Sequence, residues 1–248
     1  MLTIVGVGLL AGFLIGSVGV GGVIIVPALT YLMNLEIQWA IAAALMGFIL
    51  TGIVGTIRYE SLGFIQWSAA RVLAAAAVPA AVLGTLMVQT VSPLFLKCLV
   101  GGLAAISGFH TIFGAGPVEN ASTVALPSWR LAIIGAFTSF FSTASGTGGP
   151  LLLVPILMWQ NQPIVGAIGL SQVIQLPIAI VATLSNIAMG AVDLRLSVGL
   201  AIALSIGCWI GASVVHRLPA KALKITVSSL LVIIGAAIVV EVATEIYA

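Results

Sequence analysis

Two glycine-rich stretches carry the residues best suited to binding chemistry. They are GSVGVGG at residues 16–22 and STASGTGG at residues 142–149. Glycine gives up the most backbone entropy in a helix, and it lets a ligand approach the main chain closely. A helix that starts just after such a run presents free N–H groups and the positive end of its dipole. Two such starts, near Gly22 and Pro150, make a site for an anion. Pro150 suits a first helical turn, where a missing N–H costs nothing. Ser17, Ser142, Thr143, Ser145 and Thr147 can add hydroxyl donors.

Gln172 and Gln175, in LSQVIQLP, lie three apart and share a helical face. Their amides could donate to an oxyanion or bond neighbouring helices, and both readings stand at this level. The candidate binding set is therefore Ser17, Gly19, Gly21, Gly22, Ser145, Gly146, Thr147, Gly148, Gly149, Gln172 and Gln175. Asn186 and Thr51 are lesser candidates. Gly8, Gly12 and Gly16, spaced by four, fit helix packing instead.

The elements that position these residues must lie in a bilayer. Of 248 residues, 61% are hydrophobic and 6% charged, against roughly 25% charged in a soluble domain. Mean hydropathy is +1.31. The chain is an all-α integral membrane protein. A net charge of +2 gives no sign of nucleic acid. Cys98 and Cys208 sit in apolar runs with no metal-ligand spacing, and neither a metal nor another cofactor is expected. No basic segment opens the chain as in a cleaved signal peptide.

Apolar blocks cover residues 2–34, 38–57, 67–90, 94–114, 129–160, 164–188, 196–216 and 220–243. A spanning helix needs about 20 residues. The first and fifth blocks are too long and contain the glycine breaks, so each reads as a hairpin of two half-helices. The expected halves are 2–16 with 21–34, and 129–143 with 150–160.

The chain also repeats itself at an offset of 127 residues: Gly63 with Gly190, Gly84 with Gly211, Leu96-Lys97 with Leu223-Lys224, and Gly108 with Gly235. One residue of drift aligns Ser17 with Ser145 and Pro27 with Pro155. The expected organisation is a first repeat at 1–115, a linker at 116–127 and a second repeat at 128–248. Each repeat is a broken-helix hairpin plus three full spans, about ten helical segments in all. Three spans per half is odd, so the halves are inverted. Arg58, Arg71, Arg130, Arg217, Lys221 and Lys224 then share one side, and Lys97 and Arg195 the other. The positive-inside rule places the first set in the cytoplasm and both termini outside it.

Residues 12–29, GFLIGSVGVGGVIIVPAL, echoed by SGTGGPLLLVPIL at 145–157, resemble the sulfite exporter TauE/SafE family. The resemblance covers essentially the whole chain. It implies a bacterial or archaeal inner-membrane carrier for sulfite, thiosulfate or an organosulfonate such as sulfoacetate. It assigns the tips to Gly16, Gly19, Gly21, Gly22 and Pro27, and to Ser145, Gly146, Gly148, Gly149 and Pro155. The chain departs from the family at Val23 and Pro150, where a third consecutive glycine is common. It departs again at residues 44–47, ALMG, where a Thr-Ser pair is expected.

Inverted repeats with broken helices are a transporter pattern. The expected function is a secondary carrier of small sulfur anions, working by alternating access, with the anion at the breaks. An anion channel would have similar tips. An intramembrane serine hydrolase would need Ser145 beside His110 or His216, and Thr143 stands where its motif wants glycine. Glu36, Glu60, Asp193, Glu241 and Glu245 fall near span ends, and His110 reads first as a packed or interfacial histidine and second as a carrier for proton coupling. No GxxxxGK[ST] motif is present, so energy would come from a gradient or a partner. The oligomeric state is not readable from the sequence.

Overall fold

The computed structural model describes residues 2–19, 21–113, 126–190 and 193–215, with scattered positions between 219 and 240. Most of the expected linker, the last apolar block beyond a few positions, His216, Arg217, Lys221 and Lys224, and the side chain of His110 lie outside the described residues. Every element among the described residues is an α-helix. In order they are α1 (Leu2–Val18), α2 (Gly22–Met33), α3 (Ile37–Ser61), α4 (Trp67–Thr90), α5 (Pro93–Phe113), α6 (Ser128–Ser145), α7 (Pro150–Trp159), α8 (Ile164–Ala188) and α9 (Leu194–Val214).

α3, α4, α8 and α9 are each long and apolar enough to cross a membrane. At 25 residues, α3 and α8 reach about 37 Å, more than the hydrocarbon core needs. Trp39, Trp67, Trp129, Trp159 and Trp209 are all exposed, in keeping with an aromatic belt in contact with lipid headgroups.

Both long apolar blocks break where glycine permits it. Gly19, at φ 77°, ends α1, and its N–H bonds the Leu14 and Ile15 carbonyls at 3.0 and 3.1 Å. Gly21 then lies directly against the Ala11 carbonyl, so the chain turns back along α1. Gly146, at φ 66°, ends α6 in the same left-handed conformation, and the Thr147 N–H reaches the Ser142 carbonyl at 3.0 Å. The left-handed caps pair Gly19 with Gly146, while Pro27 and Pro155 are each the sixth residue of their helix. The extra residue of the second half therefore lies inside its break. Ser17 corresponds to Ala144, a correction to the alignment of Ser17 with Ser145.

The helices pack in a pattern that recurs between the halves. α1 lies along α9, with Gly12 on the Leu204 carbonyl and Gly16 on the Cys208 carbonyl. These are close backbone approaches that only small residues allow. α4 lies along α6 in the same parallel sense, with Gly135 on the Leu73 carbonyl and the Ser139 hydroxyl donating to the Ala77 carbonyl at 2.7 Å. Gly84 sits against the Phe140 carbonyl, and Gly211 sits against the Phe13 carbonyl. The second contact is the first with its halves exchanged, each residue displaced by 127 positions. α3 and α8 pack antiparallel, with Tyr59 beside Gly169, Gly55 beside Gln172 and Gly52 beside Leu176.

Candidate functional site

The two breaks meet. Gly22, the first residue of α2, packs against the Thr147 carbonyl. Gly19 faces Val154 of α7, and Gly146 faces Val26 of α2. Val26 and Val154 hold equal places in their helices, so each break docks on the other's second half-helix. The Phe48 ring of α3 lies between them. A Cβ added at Gly148 would come within 2.5 Å of it, and one at Gly22 within 3.2 Å. Gly148 and Gly149 hold φ values of 77° and 109°, which only glycine adopts at low cost.

The starts of α2 and α7 are both buried, and neither has a side-chain cap. The Ile24 N–H already bonds the Gly21 carbonyl at 3.2 Å, and the Leu152 and Leu153 N–H groups bond the Gly149 carbonyl at 3.3 and 3.1 Å, so the donors left for a ligand among the described residues are those of Gly22, Val23 and Leu151. Pro150 stands at the start of α7 as its ring geometry favours. The hydroxyls nearby are engaged locally. Ser17 donates to the Phe13 carbonyl and Ser145 to the Phe141 carbonyl, both at 2.7 Å. Ser145 also lies 2.9 Å from the Thr147 hydroxyl. Thr143 bonds the Ser139 and Phe140 carbonyls, whereas the buried Ser142 hydroxyl has no partner.

The glutamine face of α8 is fully buried and joins the halves. The Gln172 amide nitrogen donates to the Ile15 carbonyl at 3.0 Å, in the last turn of α1. Its oxygen, packed against Gly55, has no partner. The Gln175 nitrogen donates to the Thr51 hydroxyl at 2.6 Å and to the Phe48 carbonyl at 3.4 Å, and its oxygen also has no partner. The carbonyl acceptors require the nitrogen of each amide to point at them. In this conformation both amides tie α8 to the first half. The sequence reading missed Phe48, since an apolar residue in an apolar span carries no mark. The one available signal is that Phe48 precedes Gln175 by the repeat interval of 127.

A cavity of about 220 Å³ opens elsewhere, between the starts of α4 and α6 and the end of α7. Gln66, Ser68, Ser128 and Gln162 line it with Leu131 and Leu157.

The family model described as Sulfite exporter TauE/SafE matches residues 4–238. The chain belongs to that family. Similar proteins are described as probable membrane transporter proteins. One from Haemophilus influenzae is 28% identical over 242 residues, covering 88% of this chain and 90% of the relative. One from Bacillus subtilis is 23% identical, covering 87% and 90%. A third, from Methanocaldococcus jannaschii, is 21% identical and covers 92% of each. No solved structure gives a significant match. As a member of this transporter family with four long apolar helices, the chain is a multi-pass membrane protein.

Proposed function

We propose that the protein is a secondary carrier of small sulfur-containing anions in the cell (inner) membrane, with the anion held where the two glycine breaks meet. The observation that carries this reading is the contact of Gly22 with the Thr147 carbonyl, which brings two buried, side-chain-free helix starts together. Helix starts bind anions through oriented N–H groups and the dipole. The family description supplies the sulfur oxyanion.

The halves, 1–115 and 128–248 joined by a linker at 116–127, are read as inverted repeats. The antiparallel packing of α3 on α8 and the exchanged contacts at Gly84 and Gly211 support this. The termini then lie outside the cytoplasm, and Arg58, Arg71 and Arg130 inside it. Alternating access follows if one half rocks against the other, breaking the Gln172 and Gln175 bonds as it moves.

Uptake into proteoliposomes tests the reading, with radiolabelled sulfite, thiosulfate, sulfoacetate, sulfate and chloride, with and without a pH gradient. Saturable uptake of one sulfur anion, driven uphill by a gradient and lost in the double variant Gly21→Leu, Gly148→Leu, is the expected result. Flux that never runs uphill makes the protein a channel. Flux untouched by the variant removes the breaks from the binding site.

A further inference from the structure

Besides the acceptor oxygens of Gln172 and Gln175, four buried donors among the described residues of the second half have no hydrogen-bond partner. They are the hydroxyls of Thr138 and Ser142 on α6, the hydroxyl of Thr183 and the amide nitrogen of Asn186 on α8. Their residues are only 0 to 4% exposed. All four can donate, and a buried donor left unpaired is costly enough that native structures rarely keep one. Thr138 and Ser142 are four apart, and Thr183 and Asn186 three apart, so each pair shares a helix face. α6 and α8 are in contact.

The internal repeat shows what is unusual about this group. The residues 127 positions earlier are Ala11, Ile15, Thr56 and Tyr59. In the first half Tyr59 crosses from α3 to α1, and its hydroxyl donates to the Gly16 carbonyl at 2.8 Å. The counterpart of Gly16 is Thr143, next to Ser142. By the repeat, Asn186 holds the position of Tyr59, with a side chain shorter by an aromatic ring. At three of the four positions, an apolar or satisfied residue of the first half is replaced by an unpartnered donor. The repeat symmetry is thus broken at three of the four unpartnered donors, on two helices that touch.

We propose that Thr138, Ser142, Thr183 and Asn186 form the pocket for the anion's oxygen-rich head group, displaced from the axis between the halves toward the end of α6. The pocket holds uncharged donors and suits an SO3 group, whose oxygens only accept. A carboxylate is planar with two oxygens, whereas SO3 spreads three oxygens in a pyramid, so donors that come from two helices fit sulfite or a sulfonate better than the matching carboxylate. The proposal rests on the carrier reading for its ligand, and binding can be tested apart from transport.

The test is thermal unfolding of the full-length protein in detergent with sulfite, sulfoacetate or acetate. Sulfite or sulfoacetate is expected to raise the unfolding temperature of the wild type, and acetate is not. Asn186→Tyr, which installs the first-half residue and its means of satisfying a carbonyl, is expected to weaken half-saturation by about tenfold or more. Ser142→Ala, a nearly isosteric change, is expected to weaken it in the same direction. Stabilisation unchanged in both variants overturns the pocket, as does a wild type that neither anion stabilises. Proteoliposome uptake separates the two ideas. Sulfur-anion binding that both variants weaken, without wild-type flux, overturns the carrier reading and leaves the pocket standing.

Discussion

The α-carbon of Gly22 rests against the carbonyl oxygen of Thr147, so the first break touches the backbone of the second with no side chain between them. Any Cβ at Gly22 would run into that oxygen. Main chain cannot give way as a side-chain end can, so Gly22→Ala should separate the two breaks. Uptake per folded transporter is expected to fall about tenfold or more, because misplacing a binding group by 1 Å is enough for such losses. Gly199→Ala is the control, since a Cβ there meets nothing within 4 Å. Uptake and detergent stability of the two variants, measured side by side, check this. Wild-type uptake by Gly22→Ala would count against the breaks acting as one site.

The 2.6 Å bond from the Gln175 amide to the Thr51 hydroxyl joins α8 to α3 at the level of the breaks. Interhelical bonds in membranes are worth about 0.6 kcal/mol on average and about 1.7 at most. A double-mutant cycle with Gln175→Leu and Thr51→Val should return a coupling in that range, read by chemical unfolding in detergent. The cycle must be used because each single variant also strands a buried partner. A coupling of zero would mean the bond does not hold the two helices together.

Much of this architecture is legible in the residues. The blocks at 67–90 and 164–188 coincide with α4 and α8, because polar and helix-breaking residues mark their ends. The two hairpins follow from glycine runs in blocks too long to span once. The site is less legible. Phe48 hides among apolar neighbours. The glutamines read equally as anion donors or as bonds between helices until the Ile15 and Phe48 carbonyls are found to accept from them. Carbonyls are the same at every position, so sequence cannot say which one a side chain reaches. The extra residue of the second break was also misplaced, because similar small residues on both sides allow either alignment.

Tyr59 is buried, and its hydroxyl donates to the Gly16 carbonyl near the end of α1. Tyr59→Phe keeps the ring against Gly169 and removes only that donor. The cost is expected to be about 1 kcal/mol of stability, the usual net worth of one buried hydrogen bond. Unfolding midpoints of the two proteins in one detergent check it. Tyr59→Leu should cost more, since it also empties the space of the ring.

Ser61 and Ala188 decide whether the halves are inverted. They are separated by the repeat interval of 127, both are exposed, and each precedes a turn glycine of left-handed conformation, Gly63 at φ 74° and Gly190 at φ 71°. Equivalent turns in parallel repeats would lie on one side of the membrane. In inverted repeats they lie on opposite sides. Ser61→Cys and Ala188→Cys would each be made with Cys98, which is exposed, changed to serine, while the buried Cys208 stays. A membrane-impermeant maleimide applied to intact spheroplasts should label residue 188 and reach residue 61 only after the membrane is opened. Labelling of both from the same side would refute the inversion. Labelling of 61 alone from outside would keep it and reverse the assignment of the termini, showing that the Arg58 and Arg71 end faces away from the cytoplasm against the positive-inside bias.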